Sequence, residues 1–524
     1  MLPQLQLDTR SRANHPGLNG FTKIGRELAA ERNAWAGTSR KRIVKAASRA
    51  DPTQRAEVSG FGAGSCPAIC TKPFWGRSLS VPMQDQDKML LTPILNQVKV
   101  LLPHGEFKRN FSLLAGSSAF AQIINVLAAP IITRIYSPSD YGVFGVFGSI
   151  AAMAMVVATF RFEWGIPNPE SDDDAINLLV LCFMVMTAVA VFSVPLVKFF
   201  LRIFHKVDII SMTESYLWLL PLYILAGASY QALNVWALRK KNFKAIAKTR
   251  LSRSLSQTSL NIGLGICKWG PLGLLLGGLT GQAAGICTFG ALLWKQDRDI
   301  LLRVSTSDIK SSFSRYWKFA FLYTGVGVVN TANLQLTAIL LTSLYQSTVA
   351  GCYLLAQSVI GIPMQLIGQA VTQIFWAESA KLVRSDPIGL KLLFFRTSRK
   401  LIGVSLFLTI GGIISPFAFR FVFGEQWTAA GYYALYLTPM VMAQFVATTV
   451  SHLSVHELPY WQLVWDGSRL ILVVLIFLVA KMLNLSPDVY ILLHSILSTC
   501  MYGILYLMNA YAISLNLKSR RLRA

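Results

Sequence analysis

Apolar stretches of membrane-spanning length, separated by short polar loops, fill residues 111 to 516. A helix needs about 20 mostly apolar residues to cross a bilayer. Mean hydropathy of +0.48 and a charged content of 14 % agree with this pattern. It predicts an all-α polytopic membrane protein with about twelve transmembrane helices, at 111–135, 141–160, 175–204, 214–237, 246–266, 271–294, 316–343, 349–376, 399–422, 429–452, 463–483 and 487–513.

The spans divide into two sets of six. Tyr136 and Gly142 follow the first span, and Tyr345 and Gly351 follow the seventh at the same separation. Weak internal repeats of this kind are common in transporters, and here they predict two six-helix lobes with a pseudo-twofold relation. The predicted divisions are an N-terminal lobe at 106–295, a basic cytoplasmic linker at 296–318, a C-terminal lobe at 319–516 and a basic cytoplasmic tail at 517–524.

Residues 1–105 differ in kind, because they mix Arg, Ser, Gly and Pro without sustained periodicity. Two interpretations stay open. The segment is a disordered basic cytoplasmic tail, or it is an over-extended reading frame whose true start is Met83 or Met89 rather than Met1. The second is preferred, since Met89 opens a short amphipathic stretch that leads to the first span. Neither interpretation assigns the segment an activity.

The net charge of +24 follows the topology. Basic residues of the core concentrate in the loops after even-numbered spans and at the C-terminal end, while the other loops carry few. This asymmetry predicts that both ends of the core lie in the cytoplasm. No aromatic-rich basic module accompanies the charge, which argues against nucleic-acid binding. Among the seven cysteines, Cys66 and Cys70 form one close pair without a second pair or a nearby His, so no disulfide framework, metal site or cofactor is predicted.

Four segments of the core resemble the bacterial polysaccharide flippases, which export lipid-linked O-antigen, capsule and exopolysaccharide repeat units. The likeness covers about 410 residues in matching order and lies in Thr133–Phe144, Arg161–Ala175, Asn234–Phe243 and Phe423–Tyr432. The resemblance implies membership of the superfamily that includes MATE-type drug exporters. It also implies two lobes around a central cavity and alternating access driven by an ion gradient without ATP.

The implied cargo is a polyprenyl-diphosphate-linked oligosaccharide that crosses the bacterial inner membrane. Arginine suits its diphosphate because guanidinium groups bind phosphate in a bidentate manner. Four arginines at predicted cytoplasmic span ends are the candidates: Arg161, Arg253, Arg315 and Arg469. Glu163 and Asp466, each with an arginine close by in sequence, are candidate ion-coupling residues for a proton or sodium.

Neutral polar side chains recur on single helix faces inside several spans. The clearest set is Gln365, Gln369 and Gln373, which repeats every four residues. Polar groups at membrane depth need partners, and stripes from both halves predict a hydrated cavity that binds sugar hydroxyls. The other predicted sugar-path residues are Gln122, Asn125, Asn330 and Asn333.

Two alternatives stay open beside the flippase. A MATE-like drug/ion antiporter would carry a mid-span acidic residue, and a membrane polymerase or ligase of the same glycan would carry a large periplasmic loop. Neither feature is evident, and no catalytic motif indicates an enzyme. Expected partners are membrane lipid, the lipid-linked oligosaccharide, and glycan polymerase and chain-length proteins.

Overall fold

A computed structural model describes residues 106–203, 215–453 and 459–521, and the predicted N-terminal tail lies outside them. In this part of the chain the fold is all-α. The long helices are α1 Glu106–Ile135, α2 Pro138–Ala158, α3 Asp172–Ile203, α4 Leu220–Arg239, α5 Phe243–Ile266, α6 Pro271–Gln296, α7 Thr306–Leu344, α8 Ser347–Ile360, α9 Gln369–Ser385, α10 Pro387–Phe423, α11 Thr428–Thr449, α12 Pro459–Leu483 and α13 Pro487–Arg521.

Helices occupy all twelve of the predicted spans. Eight are long and apolar enough to cross a membrane, and α8 with α9 makes a ninth candidate as a pair bent by 45°. The bend follows Pro363 and contains a π-helical turn, Met364–Gly368, because proline removes a backbone donor inside a helix. Among the described residues, the remaining three helices, α4, α5 and α11, do not meet the same criteria of length and apolar composition.

Local chemistry explains where several helices begin. Ser137 forms a capping box with Asp140 at the start of α2, which satisfies backbone donors that the first helical turn leaves open. Asp386 accepts from the backbone N–H groups of Ile388 and Gly389 at the start of α10. The acidic run that opens α3 follows Ser171, whose Oγ accepts from Asp174 N at 3.0 Å.

The apolar core is divided between the two halves of the chain. One cluster of buried side chains runs from Phe147 to Ala320, and two others lie between Leu341 and Ile513. This supports the two predicted lobes, whereas their exact boundaries stay predictions. Glycines of α6 let it approach α5 closely: a Cβ at Gly277 would lie 1.8 Å from Asn261 Oδ1.

Candidate functional site

A cavity of about 330 Å³ lies between the two lobes, and we call it the central cavity. Its N-terminal wall comes from α1, including Ser118 and Gln122, and from Arg250 of α5. The opposite wall comes from the π-helical turn Met364–Gly368 and the start of α9, and it presents all three predicted glutamines: Gln365, Gln369 and Gln373. Two stripes from different halves of the sequence therefore meet at one cavity.

Arg250 is the cation in the lining of the central cavity, and it was not among the arginines predicted from the sequence. Its guanidinium donates to Leu114 O at 3.0 Å and to the hydroxyl of Ser118. These bonds hold the charge against α1 at the cavity wall. A signal was present in the sequence, because Arg250, Ser254 and Gln257 are spaced to share one face of α5.

Polar contacts continue along the seam between α1 and α5. Ser254 Oγ contacts Asn125 Oδ1 at 2.9 Å and Ala121 O at 3.1 Å. Asn125 lies beyond Gln122 on the same helix, further from the start of α1. Both were predicted for the sugar path, and both line cavities between the lobes.

Arg161 and Glu163 lie together in the turn between α2 and α3. Arg161 Nη1 is 3.7 Å from Glu163 Oε1, and its guanidinium also lies 4.8 Å from the centre of the Trp164 ring. Glu163 is buried and accepts from Thr159 Oγ1 at 2.5 Å and Gln231 Nε2 at 3.2 Å. Burial raises the pKa of Glu163, although the Thr159 hydrogen bond and the charge of Arg161 act in the opposite direction.

The loop beyond this turn is held by a single arginine at the end of α4. Arg239 donates to the backbone oxygens of Ile166, Pro169 and Ser171, among others, and to the Asp172 carboxylate at 2.9 Å. Lys240 bridges that carboxylate to Asp297 of the linker at 2.8 Å. The acidic start of α3 thus joins an ionic network.

Arg253 and Arg315, two of the predicted diphosphate ligands, lie elsewhere. The guanidinium of Arg253 stacks on Tyr230 of α4, 4.0 Å from the ring centre. Arg315 is exposed and lines a small pocket of about 90 Å³ with Asp174 and Asp308. The structure does not bring these two arginines to the central cavity, and their roles stay predictions.

Asp466 and Arg469 lie inside the C-terminal lobe. Asn333 Nδ2 donates to Asp466 O at 2.8 Å, Gln462 Nε2 donates to its Oδ2 at 3.3 Å, and Asn330 lies beside the same carboxyl. Arg469 is 6 % exposed and lies over the Tyr502 ring at 4.8 Å. Within the described residues, Asp466 Oδ1 and Arg469 Nε have no hydrogen-bond partner.

The lobes meet tightly where α1 joins α2 and α7 joins α8, which we call the closed end. Ser139 and Ser347 hydroxyls are 2.7 Å apart. A Cβ at Gly142 would lie 1.9 Å from Ser347 O, and one at Gly351 would lie 1.9 Å from Pro138 O. The two glycines that suggested the internal repeat therefore permit reciprocal backbone contact between the lobes.

A second contact ties α1 to the turn before α11 at the same end. Trp427 Nε1 and Gln426 Nε2 each donate to Thr133 O at 2.8 Å. Trp427 is fully buried and its ring meets Tyr141 edge-on at 5.6 Å. In the sequence this turn stood out only through the family resemblance, and its contact with α1 is visible in the structure alone.

Comparison with solved structures shows the same fold in membrane transporters. An inward-facing multidrug resistance MATE family transporter of the MOP superfamily matches with a TM-score of 0.53 and 12 % identity, over 76 % of this chain and 96 % of its own. The lipid II flippase MurJ in an inward closed conformation matches with a TM-score of 0.52 and 15 % identity, over 77 % and 90 %. No curated protein sequence matches the chain.

The fold is that of a multi-pass, all-α membrane protein, with a cavity between its two lobes. More narrowly, the chain belongs to the polysaccharide biosynthesis protein family, which matches residues 131–432. The resemblance drawn from four short segments is therefore confirmed at the level of the family.

Proposed function

We propose that the protein is a flippase for polyprenyl-diphosphate-linked oligosaccharide repeat units, which it moves across the bacterial inner membrane for surface polysaccharide synthesis. The central cavity carries this proposal. One wall holds a guanidinium group, the other holds three glutamines, and its lining residues include no carboxylate. A cation matches a diphosphate, and amides match sugar hydroxyls.

Arg250 is our first choice for the diphosphate, because its charge lies at the cavity wall beside Gln122 and the three glutamines. The predicted cations Arg161, Arg253, Arg315 and Arg469 act, in this proposal, at earlier or later steps of the path. Arg161 is the strongest of these, since its Nη2 lies 3.0 Å from where a Cβ of Gly327 on α7 would stand. It therefore touches the other lobe.

Transport proceeds by alternating access, in which the lobes rock about the midplane. Contacts at the closed end seal one side, while the central cavity lies toward the start of α1. Opening requires separation of the Gly142 and Gly351 backbones and release of Thr133 by Trp427. The prenyl tail stays in lipid, and the protein performs no bond-breaking chemistry.

Ion coupling, to a proton or sodium, is assigned to Asp466 and Glu163. Both carboxyls are buried, each has an arginine nearby, and Asp466 lies against α7, the first helix of its lobe. Ionisable groups inside a membrane protein mark ion pathways by default. Asp466→Asn should abolish the dependence of export on the ion gradient, whereas an unchanged dependence would remove Asp466 from this role.

Deletion of the gene in its host, followed by mass spectrometry of the lipid-linked repeat unit, tests the function. Accumulation of the complete unit on the cytoplasmic face with loss of surface polymer is expected. Complementation with Arg250→Gln should fail, while Lys244→Gln, which removes an exposed cation of the same helix, should restore export. Arg161→Ala and Arg253→Ala test two of the four arginines predicted from the sequence, in the same strain.

A drug/ion antiporter is the second candidate, and the fold shared with a MATE transporter favours it. A cationic drug would meet Arg250 in the central cavity, where like charges repel. Unchanged glycan together with altered drug sensitivity in the deletion strain would establish the antiporter. Complete units that reach the outer face without being joined would instead indicate a polymerase or ligase.

A further inference from the structure

A second cavity of about 130 Å³ lies between the central cavity and the closed end, and we call it the deep chamber. Helix α1 connects the two spaces, since Ser118 and Gln122 line the central cavity and Asn125 and Thr133 line the deep chamber. From Ser118 to Ala129 the helix rises about 16 Å. The two spaces therefore follow one another along α1.

The lining of the deep chamber combines apolar side chains with several neutral polar groups and includes no charged residue. Its hydrogen-bonding groups are the amides and hydroxyls of Asn125, Thr133, Gln257, Thr258 and Asn261. The central cavity differs, because Arg250 stands in its wall. A charged ligand group in the deep chamber would lose water without gaining an opposite charge, which is strongly unfavourable.

One of these amides lacks a partner within the described structure. Asn261 is 5 % exposed and its Oδ1 is buried without a hydrogen bond. A buried acceptor left unpaired costs about 1–3 kcal/mol. Gly277 of α6 leaves the space that this amide occupies. Asn261 thus brings an incompletely paired amide to the chamber lining, with its oxygen directed at α6.

Aromatic side chains form another part of the wall. Tyr141 and Phe144 of α2 line the chamber, with ring centres 6.0 Å apart. Aromatic surface beside a few fixed polar groups is typical of small-molecule sites. A pyranose ring offers C–H faces to such rings and hydroxyls to amides. An alkyl chain would leave the amides unpaired.

We propose that the deep chamber binds an uncharged sugar of the oligosaccharide, remote from the diphosphate, and discriminates against acidic sugars. This inference rests on the proposed function, because a diphosphate bound in the central cavity directs the attached sugars toward the deep chamber. It identifies Asn261 and Thr258 of α5 as specificity-determining residues. Neither was selected from the sequence.

Binding to purified full-length protein in nanodiscs tests the proposal. Three synthetic probes are compared: undecaprenyl diphosphate, the same lipid with a neutral disaccharide ending in galactose, and the same lipid with a disaccharide ending in glucuronic acid. Wild type should bind the neutral glycolipid more tightly than the bare lipid and the glucuronate. Asn261→Leu with Thr258→Val should weaken neutral-glycolipid binding about tenfold and leave bare-lipid binding unchanged.

Matched variants separate recognition from folding. Asn177→Leu removes an amide of the same lobe that is 4 % exposed and also has an unpaired Oδ1, but lies outside the chamber. It should keep the preference for the neutral glycolipid. Thr258→Val alone preserves volume and should still reduce that preference.

Each outcome has a defined meaning. Full preference for the neutral glycolipid in the Thr258→Val and double variants, or equal binding of the glucuronate by wild type, would overturn the chamber assignment and leave the flippase proposal intact. Failure of wild type to bind any of the three lipids would overturn the flippase proposal, and the chamber assignment with it.

Discussion

Gly142→Ala should open the closed end, because the two lobes touch there through backbone. A Cβ at this position would lie 1.9 Å from Ser347 O and 2.6 Å from Ser347 C, whereas real Cβ contacts stay above 3.0 Å. The helices α2 and α8 must therefore separate by about 1.1 Å. The Ser139–Ser347 hydroxyl distance of 2.7 Å would then exceed hydrogen-bonding range.

The expected magnitude follows from these two effects. Overpacking costs about 1–3 kcal/mol and a lost hydrogen bond about 1 kcal/mol. A shift of about 2 kcal/mol against the closed end changes the ratio of conformations about 30-fold. Gly148→Ala is the matched control, since its Cβ would meet nothing within 4 Å on the same helix. Both variants gain the same intrinsic helix propensity.

Electron–electron distance measurements provide the assay. Spin labels at Lys268 and Asp488, which are exposed at the closed end of opposite lobes, report the separation in a background without the seven native cysteines. Gly142→Ala should lengthen the mean distance and Gly148→Ala should not. Gly351→Ala, whose Cβ would meet Pro138 O at 1.9 Å, should behave like Gly142→Ala. Wild-type distances in both closed-end variants would refute the reasoning.

Three further substitutions test the surrounding contacts. Trp427→Phe removes one of two donors to Thr133 O and should favour separation of the lobes at the closed end. The same distance assay should show a longer mean distance, and an unchanged distance would contradict this. The raised pKa of Glu163 means that the folded state binds more protons than the unfolded state above about pH 4.5, so stability should fall as pH rises. Glu163→Gln should make this fall in thermal stability less steep. An equal dependence of stability on pH in both proteins would exclude a titrating Glu163. Arg239→Lys should cost about 1–3 kcal/mol of unfolding free energy, because one ammonium cannot replace a guanidinium that contacts several loop carbonyls. Lys244→Ala, at an exposed position, is its control and should leave stability unchanged.

Much of the fold was predictable from local pattern. All twelve predicted spans are helical, because a bilayer demands long apolar segments whose length and composition are visible in the chain. The bend at Pro363 was equally visible. So was the capping role of Ser171, since helix starts depend on residues only a few positions apart.

The candidate site was less predictable, and the difference lies in which helices become neighbours. Gln365, Gln369 and Gln373 were found because they repeat on one face, and that face lines a cavity. Arg253 was predicted as a diphosphate ligand, whereas Arg250 on the same helix was not. In the structure Arg253 stacks on Tyr230 of α4, whereas Arg250 contacts α1 and the cavity.

The sequence by itself determined the helical class, the multi-pass pattern of apolar helices, the two halves and the family, since hydrophobic length and short motifs are local properties. Only the tertiary structure decided which polar side chains share a cavity and where the lobes seal. Arg250 and Gln369 line one cavity, and Trp427 contacts Thr133, although each pair is separated by more than a hundred residues of chain. Such contacts depend on the packing of whole helices, which the polarity of a single helix does not specify.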